Sequence, residues 1–223
     1  MHYIVTTTNI TKRYKDTLAL NNVSIHIPKG SIYGLVGNNG AGKTTLMRIL
    51  LGLQNPTSGE IEMDDNIKTG AILESPAVYP YWSAKRNIKY QLSMIDHPKY
   101  NVAELLKMVD LKDNRKPVIQ YSLGMRQRLG LALALANQPE ILFLDEPLNG
   151  LDPSGIRQIR DLIKAQSEEH NVTVVISSHI LDELQKIATH IGFLKDGNLI
   201  RECEIGDVSD TSLEKYYFDE FEQ

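Results

Sequence analysis

The sequence predicts an α/β fold: a parallel core sheet flanked by helices, with a helix-rich insert between its strands. Three observations predict it. Ile141 to Leu144 and Val172 to Ser177 are apolar on both faces, as strands inside a parallel sheet must be. Ser31 to Val36 is a further apolar strand that runs directly into the glycine-rich stretch Gly37 to Gly42 and then into a helix. Helical periodicity recurs at Ser83 to Met94, Val102 to Val109 and Leu123 to Ala136, with no strand pattern between.

The remaining elements follow in order. Asn22 to Pro28 alternates Val23, Ile25 and Ile27 against polar neighbours, which predicts one half-buried strand. Lys29-Gly30 is a turn. Thr44 to Leu53 places Leu46, Ile49, Leu50 and Leu53 on one helical face. Asn55 to Gly59 is a loop, and Glu60 to Met63 and Gly70 to Leu73 are short strands. Ile156 to Gln166 and Leu181 to Ala188 read as helices. Ile191 to Leu194 and Leu199 to Arg201 flank Lys195-Asp196-Gly197-Asn198, a hairpin signal. The acidic, aromatic tail from Ser212 reads as a short helix. One domain over residues 1–223 accounts for the pattern, with a helical lobe at about 76–136 and a short tail at about 209–223.

Composition excludes several classes. The chain has 223 residues, 42% hydrophobic and 23% charged, which argues against disorder, collagen and coiled coil. Its 28 acidic and 24 basic residues give a formal charge of −4, so no nucleic-acid partner is expected. Cys203 is the only cysteine, which excludes an intrachain disulfide or a zinc cluster of several cysteines. No apolar run approaches the roughly 18 residues of a membrane span. The N-terminus lacks a signal-peptide pattern. The expectation is a soluble chain with no direct membrane insertion.

Gly37-Asn38-Asn39-Gly40-Ala41-Gly42-Lys43-Thr44 matches G-x-x-x-x-G-K-[ST], in the strand–loop–helix context the motif needs. Its glycines let successive amides converge on phosphate, and the helix behind adds its own unpaired amides. Lys43 supplies a cation for the β and γ oxygens, and the Thr44 hydroxyl is placed for Mg²⁺. Asn38, Asn39, Gly40, Ala41, Gly42 and Thr45 complete the expected ATP contacts. Ile141 to Leu144 ends in Asp145-Glu146, which a parallel strand delivers to the same sheet edge. Asp145 is expected to hold Mg²⁺ and Glu146 to polarise the attacking water. These two motifs define a P-loop nucleotidase and no finer class.

Further elements narrow it. Tyr121-Ser122-Leu123-Gly124-Met125 opens the last helix of the insert, Leu148-Asn149-Gly150-Leu151-Asp152-Pro153 follows the carboxylates, and Ser177-Ser178-His179 ends the next strand. In this order the sequence resembles the ATP-binding subunits of ABC transporters along nearly its full length. The resemblance implies a P-loop NTPase of the ABC ATPase type, with a mixed core sheet, an antiparallel β subdomain and a helical lobe. It implies ATP and Mg²⁺ as cofactors, and a homodimer or heterodimer of ATPase subunits. It also implies integral membrane permease partners, and a cytoplasmic location peripheral to the inner face of the membrane.

The resemblance also implies roles. His179 would contact the γ-phosphate and the attacking water, Asp152 would couple two sites across the dimer, and Tyr14 would stack on adenine. Ser122 fits two readings: it caps its own helix, or with Gly124 it faces the γ-phosphate held by the other subunit. The family order favours the second. The usual L-S-G-G-Q signature is altered here, with only Ser122 and Gly124 retained. Arg126 and Arg128 read as solvated helix charges.

A departure lies at Glu74. Most of the family carries glutamine after the strand entering the helical lobe, whereas here Gly70-Ala71-Ile72-Leu73 ends in Glu74-Ser75-Pro76. This looks like the bacitracin and lantibiotic exporter branch, whose members protect the cell against peptide antibiotics. Ionised glutamate only accepts hydrogen bonds, whereas glutamine also donates. Glu74 is therefore a candidate for positioning Mg²⁺ or water and for coupling. Tyr79, Tyr81 and Trp82 either pack within the lobe or line a groove for a permease helix. The implied function is an ATPase motor for peptide-antibiotic export. A sensory or regulatory ATPase, an ATPase acting on DNA or ribosomes, and a motor for another substrate are the alternatives.

Overall fold

The structure is a computed structural model that describes residues 2–208 and 212–221. Residues 209–211, 222 and 223 of the expected tail lie outside the described residues. Strands β1 (Tyr3–Tyr14), β2 (Thr17–Val23), β3 (His26–Pro28) and β5 (Ser58–Glu62) form an antiparallel sheet in which β1 pairs with each of the other three. The second sheet has six strands: β4 (Ile32–Val36), β6 (Thr69–Ile72), β7 (Ile141–Asp145), β8 (Thr173–Ser178), β9 (His190–Lys195) and β10 (Asn198–Glu204). Their order is β10-β9-β4-β8-β7-β6. All neighbours are parallel except the β9–β10 hairpin.

Seven α-helices accompany the strands among the described residues: α1 (Lys43–Leu50), α2 (Ala84–Leu92), α3 (Val102–Met108), α4 (Leu123–Leu135), α5 (Pro153–His170), α6 (Leu181–Gln185) and α7 (Leu213–Phe221). Side-chain caps open the three lobe helices. Ser83 accepts the amide of Arg86, Asn101 forms a capping box with Glu104, and Ser122 accepts the amide of Met125.

The six-stranded sheet divides two cores. Successive side chains of a strand point to opposite faces. Ile32, Leu142, Leu144, Val174, Ile176 and Phe193 therefore pack with the lobe helices and α5 on one side. Tyr33, Leu35, Ile141, Phe143 and Val175 pack with α1 and the antiparallel sheet on the other. This explains why β7 and β8 read as apolar throughout.

The structure corrects three expectations. The helix expected from Thr44 to Leu53 ends at Leu50, because Gly52 turns left-handed (φ 68°), and Leu53 lies beyond it, 65% exposed and off the apolar face. Asn22 to Pro28 is not one strand. Asn22 turns into the left-handed region (φ 51°), and Thr7 Oγ1 takes the Ile25 amide, which ends β2 and starts β3 anew. Arg128 is not solvated. Its side chain is 19% exposed, and its guanidinium donates to the Asp110 carbonyl at 2.9 Å and to Gln158, tying α4 to the turn after α3 and to α5. Arg126 likewise bonds the Tyr121 carbonyl, at 2.9 Å.

Candidate functional site

The C-terminal ends of β4, β7 and β8 and the N-terminus of α1 meet at one rim of the central sheet. That rim is where an open parallel sheet binds ligands. A cavity of about 350 Å³ lies there, lined by Ala19, residues 38–45, Glu74, Asp145, Glu146 and Asn149. Gly42 sets the loop's close approach. Its φ is 106°, and a Cβ there would fall 2.7 Å from the Ala19 carbonyl oxygen. Only glycine satisfies both the backbone angle and that contact.

Lys43 is buried, and its Nζ donates to the carbonyls of Gly37 (2.6 Å) and Asn38 (3.2 Å). It also lies 3.7 Å from Glu146 Oε1. A cation is thus held inside the loop, against its carbonyls. Thr44 Oγ1 donates to Asp145 Oδ2 at 2.6 Å. Asp145 is 3% exposed, and its other oxygen, Oδ1, accepts the Ser177 hydroxyl at 2.5 Å. Ser177 Oγ in turn accepts the Glu146 amide at 2.9 Å. The sequence pointed to both acids but not to the serine between them.

Glu146 has φ 50°, left-handed for a residue with a side chain, at a cost of about 1 kcal/mol. Its Oε2 meets His179 Nδ1 at 2.7 Å. Its Oε1 is buried and accepts no hydrogen bond. One carboxylate oxygen is thus tethered and the other left available beside Lys43.

Glu74 also has a left-handed backbone, φ 61°, and its Oε1 accepts Arg48 Nη2 at 2.6 Å. Tyr14 does not line the cavity. Its ring lies near Lys12 Nζ, 5.2 Å from the centroid, and its hydroxyl donates to Gln54.

Ser122, Gly124 and Asp152 form a second group away from the cavity lining. A Cβ on Gly150 would lie 2.9 Å from Leu123 Cδ2, and one on Gly124 would lie 3.6 Å from Leu151 Cδ2. The start of α4 therefore packs on the loop that precedes α5. Asp152 accepts the Ser154 hydroxyl at 2.7 Å, which holds its carboxyl below the usual range. The predicted site residues thus fall into two separate groups on one chain.

Beyond the expected residues, the cavity includes Ala19 and Asn149, whose amide donates to the Glu146 carbonyl at 3.1 Å. Asn149 sits one turn past the carboxylates, where sequence spacing could have indicated it. Ala19 carries no polar side chain and left no such signal.

Comparison with known proteins agrees with this geometry. The ABC transporter family matches residues 20–149. The chain is 41% identical over 231 residues to the bacitracin transport ATP-binding protein of Enterococcus faecalis, spanning 98% of this chain and 75% of that one. It is 45% identical over 204 residues to the lantibiotic transport ATP-binding protein of Streptococcus pyogenes, spanning 88% and 89%. It superposes with a TM-score of 0.81, at 30% identity, on a dimeric ATP-binding cassette solved in a post-hydrolysis state with ADP and Pi, covering 90% of this chain and 98% of the other. The chain belongs to the ABC transporter family, and it is one of that family's ATP-binding ATPase cassettes.

Proposed function

We propose that this cassette powers export of a peptide antibiotic, of the bacitracin or lantibiotic class, through separate membrane permease subunits, and so protects the cell that makes it or meets it. Similarity over 88–98% of this chain to bacitracin and lantibiotic transport ATP-binding proteins carries this reading. The glutamate at position 74 supports it. No helix among the described residues is long and apolar enough to cross a membrane.

We further propose the roles within the site. Residues 38–45 bind the phosphates of ATP through backbone amides, and Lys43 supplies the cation. The donor set of Thr44 hydroxyl and Asp145 carboxylate suits Mg²⁺, a hard ion that takes one or two protein oxygens beside phosphate and water. Glu74 stands at the rim as a third candidate ligand. When bound, the ion supplies neutralisation of phosphate charge. Glu146 accepts the proton of the attacking water at Oε1, while His179 holds Oε2 and fixes the carboxylate's orientation. Tyr14, outside the cavity lining and 40% exposed, is read as stacking on a base that extends beyond the cavity. Residues 1–223 act as one nucleotide-binding unit.

The second group, Ser122, Gly124 and Asp152, is read as serving the cavity of another ATPase subunit. The separation of the two groups supports this, since each cavity then needs two chains. A dimer would close on ATP and reopen after hydrolysis. Tyr79 stacks on Trp82 (4.2 Å between centroids), Tyr90 meets both edge-on, and Tyr81 is 78% exposed. This aromatic face of the lobe is read as the permease contact.

The test is antibiotic susceptibility of a strain lacking the gene. Sensitivity should rise, and resistance should be restored by the wild-type chain but not by Glu146→Gln. Unchanged susceptibility would overturn the export reading. An altered transcriptional response to antibiotic in that strain would then favour a sensory role.

A further inference from the structure

We propose that Arg48 is a positioning residue of the nucleotide site, which holds and neutralises the Glu74 carboxylate so that a glutamate can stand beside a bound polyphosphate. The inference concerns ATP binding by the cassette and holds whatever cargo the transporter carries.

The charge of the cavity poses the problem. Its lining contains one cation, Lys43, against three carboxylates, Glu74, Asp145 and Glu146. That balance is adverse for a polyanion. Asp145 is engaged by Thr44 and Ser177, and Glu146 faces Lys43 and His179. Glu74 has none of these partners. A neutral glutamine there would raise no charge problem, whereas a carboxylate does.

Arg48 answers it by its place on α1. It lies one helical turn after Thr44 and so on the same helix face. Its guanidinium emerges beside the cavity and reaches Glu74 Oε1 at 2.6 Å. The arginine's own backbone is fixed, since its carbonyl accepts the amides of Leu53 (2.9 Å) and Gln54 (3.3 Å). Gln54 in turn receives the Tyr14 hydroxyl. Glu74 contributes the complementary constraint, a left-handed backbone two residues past the end of β6. A flexible pair would not hold a carboxylate in place, but these two side chains project from fixed main chain.

The pair is open to solvent, with side chains 37% and 66% exposed, so it contributes little to folding stability. Its effect falls on the ligand. Arg48→Gln leaves Glu74 unneutralised at the rim and repels phosphate. That penalty disappears when the carboxylate itself is removed. A purely structural arginine would give the same loss in either background and would lower the melting temperature.

The experiment is a double-mutant cycle on the full chain. Arg48→Gln and Arg48→Lys are made alone and with Glu74→Gln. ATP affinity is measured by fluorescence titration in EDTA, KM and kcat in Mg²⁺, and melting temperature without nucleotide. Arg48→Gln alone should weaken ATP binding about tenfold and raise KM more than it lowers kcat, with an unchanged melting temperature. Arg48→Lys should retain most of the affinity. In the Glu74→Gln background, Arg48→Gln should change affinity less than about twofold. An equal loss in both backgrounds, or no loss in either, would overturn the proposal.

Discussion

Ser177 Oγ donates to Asp145 Oδ1 at 2.5 Å and is wholly buried as it does so. The same oxygen accepts the amide of Glu146 at 2.9 Å, so one hydroxyl on β8 sets both acids at the end of β7. It also helps hold Glu146 in its left-handed conformation. Ser177→Ala strips Asp145 of a donor and leaves the Glu146 amide unpaired. We expect kcat to fall about tenfold or more and stability to drop by about 1–3 kcal/mol. Steady-state ATPase assays and urea denaturation check both. A variant with unchanged kcat would show that the acids keep their positions without the serine.

Glu146 and His179 should separate binding from chemistry. Glu146→Gln keeps the shape of the side chain but cannot take a proton. Loss of a general base typically costs 10²–10⁴-fold in rate. Hydrolysis should fall by about that factor while ATP binding persists. His179→Ala frees Oε2 and should lower kcat less than Glu146→Gln does. Single-turnover hydrolysis with pre-bound ATP distinguishes the two. Undiminished turnover in Glu146→Gln would remove it from the role of base.

Ser122 can be divided into its two readings. Ser122→Ala removes the cap on α4 and should cost about 1 kcal/mol. Ser122→Asp keeps a good cap but places a carboxylate where a partner's γ-phosphate is proposed to sit. Full stability with loss of ATP-dependent dimerisation is the expected result, read by thermal melting and size-exclusion chromatography. Wild-type dimerisation in Ser122→Asp would reduce the serine to a cap.

Tyr33 gives the fold an alkaline limit. It is fully buried, with its hydroxyl on Glu202 Oε1 at 2.6 Å, and burial with the neighbouring carboxylate raises its pKa well above 10. The folded state thus favours the neutral phenol. Its contribution is fully present below the unfolded value near 10 and is lost as pH rises towards the folded value. Melting temperature should fall steeply above pH 10 in the wild type and less steeply in Tyr33→Phe. Parallel pH profiles would exclude Tyr33 as the source.

The fold was legible where a pattern had one physical meaning. The uninterrupted apolar runs of β7 and β8, the strand–glycine–helix passage at 31–50 and the lobe helices all read through. β1 did not. Its twelve residues mix threonines with apolar side chains and pair with three strands, a role set by tertiary contact rather than by local pattern. In the site, motif residues were legible because phosphate chemistry demands them. Ser177 and Arg48 were not, because each acts through another residue, and spacing along the chain says nothing of a partner on a different element. Arg128 misled for a related reason: a charge on a helix gives no sign of the carbonyls that will receive it.

The central sheet is the shared wall of both hydrophobic cores, and the candidate nucleotide site sits on its rim. A ligand gripped there would fasten β4, β7 and β8 at once, and those strands belong to both sides. Amide exchange should therefore slow in the antiparallel layer and in the lobe together when ATP is added, even at residues remote from the phosphates. The cassette would register nucleotide as a tightening of the whole molecule.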